Sequence, residues 1–144
     1  MNRVRENAQL SDIASIGMPA SSSPLQTFRQ GLRDGVLLYQ RNERGDAIFY
    51  PRLVCPFTGS SKLEWKASGG VGTVYSTTVV TPRNGDAYNV SLVDLDEGFR
   101  LMSRVEGLDA KDVAIGMRVC VAFRSGETPD DAYHVFIPCA EGER

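Results

Sequence analysis

The residues best suited to nucleophilic catalysis do not stand at catalytic spacings. His134 is the one histidine of the sequence, and no serine or cysteine lies at a motif distance from it. A Ser-His-Asp triad needs a base that is oriented by a partner, whereas a histidine at a strand rim or surface accounts for this position. Asp109 and Asp112 are expected to be capping or solvated residues rather than an acid–base pair. The sequence therefore predicts no catalytic residue.

Two short motifs match ligand-binding loops only in part. Gly69-Gly70-Val71-Gly72 resembles a dinucleotide fingerprint, but it opens a strand instead of a helix, and Tyr75 occupies the third glycine position. Asp94-Leu95-Asp96 resembles the start of a calcium loop, but its twelfth position is Val105, which has no carboxylate. We interpret the first motif as a strand start and the second as a turn.

Arginine and aromatic side chains are the remaining candidates for ligand contacts. The arginines predicted to point outward from adjacent strands are Arg100, Arg104 and Arg118. Forked guanidinium contacts there would hold a phosphorylated ligand or an acidic partner surface, and the alternative is a set of solvated strand faces. Tyr75, Tyr88 and Phe99 form a possible stacking platform for nucleic acid, although alternation places Phe99 in the core.

Composition and charge restrict the class of protein. The 144 residues carry a net charge of −2, which weighs against general binding to nucleic acid or to an anionic membrane. The sequence shows no apolar run of membrane-spanning length, and no apolar signal segment follows Arg3 and Arg5. Three widely spaced cysteines, Cys55, Cys120 and Cys139, favour a reduced, cytoplasmic protein over a disulfide scaffold.

Five strands are predicted in the second half of the chain. They are Val71–Val80, Tyr88–Leu95, Phe99–Val105, a segment in which Met117, Val119, Val121 and Phe123 alternate inward, and Tyr133–Ile137. Alternation of apolar and polar residues marks strands with one face in a core. A short helical connector, Asp109–Ala114, separates the third strand from the fourth. This pattern is typical of an OB-fold barrel.

The first part of the chain predicts a tail and a helix. Met1–Ser23 is polar and is interpreted as a flexible arm. Ser23-Pro24 is typical of an N-cap followed by proline at the first helical position, and Leu25, Phe28 and Leu32 share an apolar face that packs on its own domain or on a partner. The predicted domains are the arm (1–23), a helix plus ribbon-like segment (24–65), the OB-fold barrel (66–138) and a C-terminal tail (139–144).

The segment between the helix and the first long strand carries a family resemblance. Its landmarks are Gly45, Tyr50-Pro51-Arg52, Cys55-Pro56, Gly59-Ser60, Glu64-Trp65 and Ser68-Gly69, followed by Gly72–Ser76, Val93–Gly98 and Ile115–Val119. In their order and spacing the chain resembles, from about Leu25 to Phe136, the family named domain of unknown function 35 (DUF35). The resemblance implies a rubredoxin-like zinc ribbon followed by an OB-fold.

The metal positions of that family are not retained. They fall on Arg41, Arg44, Cys55 and Thr58, of which only Cys55 is a thiol. Structural zinc is held by four thiolate or imidazole ligands, and two arginines would repel the cation. We therefore predict a degenerate ribbon that is held by packing or by a partner, with no zinc and no other cofactor.

The resemblance also implies a function. Members of this type accompany thiolase-like, lipid-transfer-type thiolase or aldolase enzymes, which implies a non-catalytic accessory subunit that scaffolds an acyl-CoA enzyme and helps to enclose the CoA substrate. The predicted partner contacts are Phe28, Phe49, Tyr50, Arg52 and Trp65. Two alternatives stay open: a nucleic-acid-binding OB-fold module, and a stand-alone CoA- or nucleotide-binding regulator.

Overall fold

The computed structural model describes residues 23–128 and 131–140. The predicted arm therefore lies outside the described residues except for Ser23, and so do residues 141–144 of the predicted tail. The chain divides into two compact units, Met1–Ser68 with Ser125–Tyr133 and Gly69–Arg124 with His134–Arg144. No helix in this described part is long and apolar enough to cross a membrane.

Helix α1 opens the first unit and spans Pro24–Arg33. The Ser23 hydroxyl accepts a hydrogen bond from the Gln26 N–H at 3.1 Å, and the Gln26 side chain accepts one from the Ser23 N–H at 3.3 Å. These reciprocal bonds form a capping box that satisfies free donors at the start of the helix. Phe28 and Leu32 are buried, so the predicted helix and its N-cap are both present.

A small three-stranded sheet follows the helix. Strand β1 (Leu38–Arg41) lies between β2 (Ala47–Ile48) and β3 (Glu64–Ala67), and both pairings are antiparallel. Residues 36–40 are all buried. The apolar residues 36–39 give way to Gln40 and Arg41 within the strand, so neither alternation nor a continuous apolar run marks β1 in the sequence.

The second unit is built on a five-stranded sheet in the order β6-β5-β4-β7-β8. Its strands are β4 (Val71–Val80), β5 (Tyr88–Leu95), β6 (Arg100–Ser103), β7 (Arg118–Arg124) and β8 (Tyr133–Pro138). A 3-10 turn at Ala110–Asp112 lies between β6 and β7 in the chain. The core is formed by inward side chains that include Val74, Val93, Leu101, Val119 and Phe136. In the segment that contains β6, Phe99, Leu101 and Val105 are buried and Arg100 and Met102 are exposed, as the alternation predicts.

The edges of this sheet meet at one parallel bridge between Val105 and Phe136. The Phe136 N–H donates to the Arg104 carbonyl oxygen at 2.9 Å, and the Glu106 N–H donates to the Phe136 carbonyl oxygen at 2.7 Å. A single bridge in place of a long ladder leaves the barrel partly open, as is usual for OB-folds. The predicted mainly β fold, a helix followed by a five-stranded OB-fold, is confirmed.

A buried amide makes this closure possible. The β5–β6 pairing ends at Ser91 and Ser103. Beyond it, the Asn89 side chain donates to the Val105 carbonyl oxygen at 2.8 Å and accepts from the Val105 N–H at 2.9 Å. Ser91 donates to the same Asn89 oxygen at 2.7 Å. The Asn89 side chain thus bonds Val105 as a neighbouring strand would. The chain at Val105 can then turn towards β8 while its backbone N–H and C=O stay hydrogen-bonded.

The expectation of three reduced cysteines is wrong for two of them. Cys120 on β7 and Cys139, which follows β8, form a disulfide with a Cα–Cα distance of 5.2 Å. The two residues are 19 positions apart, and only the folded sheet brings them together: the Cys139 N–H donates to the Arg118 carbonyl oxygen at 3.1 Å. The third cysteine, Cys55, is free and buried.

Candidate functional site

The segment Tyr50–Phe57, termed here the apolar loop, exposes large apolar side chains. The exposed fractions are 53% for Tyr50, 72% for Leu53, 48% for Val54 and 62% for Phe57. Single exposed apolar residues are ordinary, but several in one short loop are typical of a protein interaction site. The sequence analysis selected Tyr50 and Arg52 in this loop but missed Val54 and Phe57, whose signal is apolar residues in a proline-containing segment without strand alternation.

The start of the apolar loop is fixed by Gln40 on β1. The Gln40 side chain is buried, donates to the Arg52 carbonyl oxygen at 2.9 Å and accepts from the Arg52 N–H at 2.7 Å. These two bonds to the backbone N–H and C=O of one residue hold Arg52 as a neighbouring strand would. Arg52 therefore contributes its backbone to the fold, while its side chain stays exposed.

The end of the apolar loop is fixed at Cys55, which is 1% exposed. Its sulfur accepts hydrogen bonds from the Phe57 N–H at 3.3 Å and from the Asn42 side chain at 3.4 Å. Burial alone raises the pKa of the thiol, but hydrogen bonds from Thr58, Asn42 and the Phe57 and Thr58 backbone outweigh it and lower the pKa from 9.0 to about 7. The thiol thus acts as an acceptor that organises a turn.

Aromatic rings pack against the start of the apolar loop. Phe28 of α1 contacts Phe49 edge-on at 5.3 Å between ring centroids, and Phe49 contacts Tyr50 at 4.5 Å. Phe28 is buried, so it acts as packing beneath Phe49 rather than as an exposed contact. Trp65 lies half-buried on β3, opposite Gln40. Of the predicted partner residues, Tyr50 and Arg52 are exposed, while Phe49 and Trp65 are intermediate.

The four positions that the family resemblance assigns to a metal do not fit zinc. The Arg41 guanidinium lies over the Tyr39 ring, and Arg44 pairs with Asp46 at 3.2 Å. The Thr58 hydroxyl accepts a hydrogen bond from the Ser60 N–H. Within residues 23–128 and 131–140, no group of three or more His, Cys, Asp or Glu side chains is placed to hold a metal ion.

The arginines predicted to bind phosphate are each paired with a carboxylate. Arg100 makes a bidentate contact with Asp94, with its second bond at 3.1 Å, and its guanidinium stacks 3.5 Å from the centroid of the Tyr75 ring. This hydrogen-bonded pairing raises the pKa of Arg100. An added phosphate would have to compete with the carboxylate already in place.

The other two arginines are also paired with carboxylates. Arg118 binds both oxygens of Asp96 at 2.9 and 2.8 Å, which lowers the pKa of the Asp96 carboxyl. Arg104 pairs with Glu106 at 3.5 Å and lies 5.4 Å from the centroid of the Tyr88 ring. All three predicted arginines are therefore paired with carboxylates, and Arg100 and Arg104 also lie over the predicted tyrosine rings. The third predicted ring, Phe99, is buried in the core.

His134 has a serine neighbour that the sequence did not reveal. The Ser103 hydroxyl on β6 lies 3.0 Å from His134 Nδ1 and also donates to the His134 carbonyl oxygen at 3.2 Å. Burial lowers the pKa of the imidazole below 6.5. These contacts join β6 to β8, where the barrel edges meet. No sequence spacing signals them, because the residues are 31 positions apart.

Comparison with known proteins locates the similarity in both units. The family described as the ChsH2 C-terminal OB-fold domain matches residues 65–124. A DUF35 domain-containing scaffold protein of Pyrococcus furiosus is 30% identical over 97 residues, which are 64% of this chain and 69% of that protein. A protein of Mycobacterium tuberculosis, named 3-oxo-4,17-pregnadiene-20-carboxyl-CoA hydratase alpha subunit, is 31% identical over 70% of this chain. The chain spans about a third of that subunit, 34% of its length.

Two solved structures share the fold. A chain of a structure described as the Ltp2-ChsH2(DUF35) aldolase superposes with a TM-score of 0.71 and 28% identity, covering 84% of this chain and 98% of that one. A DUF35 protein of unknown function from Sulfolobus solfataricus has a TM-score of 0.60 at 13% identity, covering 94% of this chain and 98% of that one, and supports the fold alone. The resemblance drawn from the sequence motifs is thereby confirmed. By its similarity to the scaffold protein of Pyrococcus furiosus across both units, this chain belongs to the DUF35 family.

Proposed function

We propose that this chain is a non-catalytic scaffold subunit that binds a thiolase-like or aldolase enzyme acting on an acyl-CoA. The observation that carries the proposal is the apolar loop. Its four exposed apolar side chains (Tyr50, Leu53, Val54 and Phe57) lie on a backbone that is held by hydrogen bonds to the buried residues Gln40 and Cys55. The names of the DUF35 relatives and of the aldolase structure supply the class of partner.

Physical chemistry explains why such a loop suits a permanent partner. Burying exposed apolar side chains is the main favourable term in association, and a few aromatic or arginine residues usually dominate the energy of an interface. A loop that is already ordered loses little conformational entropy when it binds. Gln40 and Cys55 provide that order at the two ends of the exposed stretch.

We assign the chemistry to the partner rather than to this chain. Ser103 and His134 are half-buried, and the serine hydroxyl is bonded both to the imidazole and to the backbone of the same histidine. A hydroxyl held this way joins two strands. A nucleophile, in contrast, needs an approach for substrate and donors for the developing oxyanion. The scaffold naming of the relatives supports this assignment.

The two alternative functions have less support. Binding of nucleic acid relies on unpaired cationic side chains along a phosphate track, whereas Arg100, Arg104 and Arg118 are paired with carboxylates. A cavity of about 320 Å³ in the first unit is also balanced in charge, with Arg41 and Lys62 facing Glu43 and Glu64. Neither surface offers the net positive charge that would favour CoA or a nucleotide over a protein partner.

Absence of zinc is part of the proposal. Arg41, Arg44 and Thr58 replace three of the ligands that the family resemblance assigns, and one thiolate does not satisfy the tetrahedral coordination of a structural zinc. Elemental analysis of the purified chain is expected to give far less than one zinc per chain. Stoichiometric zinc that resists a chelator would contradict this expectation.

The experiment is co-purification followed by reconstitution. The tagged full-length chain is isolated from its native source, the bound proteins are identified by mass spectrometry, and a thiolase-like or aldolase subunit among them is purified separately and mixed with this chain. A stable stoichiometric complex in analytical ultracentrifugation, with acyl-CoA turnover that requires the partner, is the expected result. Recovery of nucleic acid, or tight CoA binding by the isolated chain with no enzyme partner, would overturn the proposal.

A further inference from the structure

Two similar turns stand at the base of the apolar loop. In the first, the Asn42 N–H donates to the Asp46 carbonyl oxygen at 3.0 Å, and Gly45 has a φ of 87°. In the second, the Cys55 N–H donates to the Ser60 carbonyl oxygen at 2.8 Å, and Gly59 has a φ of 75°. In a structural zinc site, turns of this kind are joined through thiolates on a shared cation.

Asn42 joins these turns without a metal. Its side-chain oxygen accepts from the Arg44 N–H at 2.9 Å and from the Asp46 N–H at 2.8 Å, which organises the first turn. Its side-chain nitrogen donates to the Asp46 carboxylate at 2.9 Å and to the Cys55 sulfur at 3.4 Å. The bond between Asn42 and the Cys55 sulfur is buried, so water does not compete for it, whereas the bonds to Arg44 and Asp46 are part-buried.

We infer that Asn42 is the positioning residue of the apolar loop and, together with Cys55, takes over the structural role of the missing metal. Each acceptor and donor of the Asn42 amide is used, and the amide connects the turn after β1 to the turn that carries Val54 and Phe57. Asn42 is buried, whereas the proposed docking side chains are exposed. It acts on the partner only through the loop that it holds. The inference rests on the proposed function for its consequence in binding, but not for its consequence in the free chain.

The first arm of the test is hydrogen exchange in the free full-length chain. Asn42→Ala removes the link between the turns, and we expect exchange protection of the Cys55, Phe57 and Gly59 amides to fall by about tenfold or more, because a buried group loses its hydrogen-bond partner. Asn42→Asp removes both amide donors and places a second carboxylate beside Asp46, so it should not restore the protection that Asn42→Ala loses. Asn84→Ala, in an exposed turn of the other unit, is the matched control and should leave these amides unchanged.

The second arm measures affinity for the reconstituted enzyme partner. Asn42→Ala should weaken binding by a factor close to its loss of exchange protection, since an unordered loop must be ordered on binding. Leu53→Ser should weaken binding without changing protection. Cys55→Ala should reproduce the effect of Asn42→Ala, and the double variant should be little worse than either, as expected for one shared link.

The two arms separate the inference from the proposed function. If no enzyme partner binds but Asn42→Ala loosens the loop amides, the proposed function fails and the role of Asn42 in positioning the loop stands. If the partner binds and Asn42→Ala leaves both protection and affinity unchanged, the inference is overturned. Additive effects of Asn42→Ala and Cys55→Ala on loop protection would also overturn it.

Discussion

At the scale of single residues, buried side-chain amides hold separate segments of this chain together. Asn89 is 2% exposed and its side chain bonds both polar groups of the Val105 backbone. We predict that Asn89→Ala lowers the free energy of unfolding of the OB-fold unit by about 3 kcal/mol, since two buried backbone groups lose their partners. Urea unfolding followed by far-UV circular dichroism measures the change. Asn84→Ala should stay within about 0.5 kcal/mol of the parent, and an equal effect of both variants would contradict the role given to Asn89.

His134 gives the OB-fold unit a defined pH dependence. Burial lowers the pKa of this imidazole below the unfolded value of 6.5, so between the two values the unfolded chain binds more protons than the folded one. Stability is therefore fully present above pH 6.5 and decreases as the pH falls through the folded pKa.

We predict a measurable loss of unfolding free energy as the pH falls from about 7 to below 6.5. His134→Gln should flatten that part of the profile, because the sequence has no other histidine. Thermal unfolding at closely spaced pH values tests this expectation. A variant that keeps the parental slope between those pH values would show that other groups cause it.

At the scale of elements, two exposed surfaces differ in their chemistry. The apolar loop exposes apolar side chains, whereas the outer arginines of the OB-fold are paired with carboxylates. Tyr50 is 53% exposed on the apolar loop, whereas Arg100 is stacked on Tyr75 and bound to Asp94. Removing side chains from the first surface should cost binding energy. Removing them from the second mainly breaks exposed ion pairs, which contribute little.

We predict that Tyr50→Ala combined with Arg52→Ala abolishes co-elution with the enzyme partner, because truncated hot-spot residues cost about 2 kcal/mol or more each. Arg100→Ala combined with Arg104→Ala is the matched pair and should leave the complex intact. Size-exclusion chromatography with circular dichroism of each variant separates lost binding from lost folding. The opposite outcome, in which only the arginine pair disrupts the complex, would move the interface to the barrel.

The elements differ in how well the sequence predicts them, and the reason is physical. Strands β6 and β7 were predicted because the segments that contain them alternate, and β4 and β5 because Pro82 and Gly85 break the chain between two strand-like segments. Strand β1 was not assigned, because its residues are buried on both faces and do not alternate. The side-chain hydrogen bonds that position the candidate site join residues 12 and 13 positions apart, Gln40 with Arg52 and Asn42 with Cys55. Short-range patterns carry no signal for such pairs, nor for the disulfide between Cys120 and Cys139.

At the scale of the whole molecule, two units carry different tasks. The first presents the apolar loop and replaces metal ligation by hydrogen bonds around Asn42. The second is an OB-fold whose outer arginines are neutralised by carboxylates and whose edges are joined by Asn89 and by the Val105–Phe136 bridge. Both arrangements favour a protein scaffold over a site that binds or transforms a small molecule by itself.

This division of tasks predicts how activity responds to the chain's most reactive side chains. The isolated chain should show no turnover of acyl-CoA substrates, since nucleophilic catalysis needs an oriented base and an accessible nucleophile. In the assembled complex, His134→Ala and Cys55→Ala should leave kcat unchanged at saturating concentrations of both subunits. Cys55→Ala should raise only the concentration of this chain that is needed for half-maximal activity, because the apolar loop is less well ordered. Steady-state assays titrated with each variant distinguish these effects. If the isolated chain turned over an acyl-CoA and either substitution abolished that activity, the scaffold function would be wrong and the catalytic group would lie in this chain.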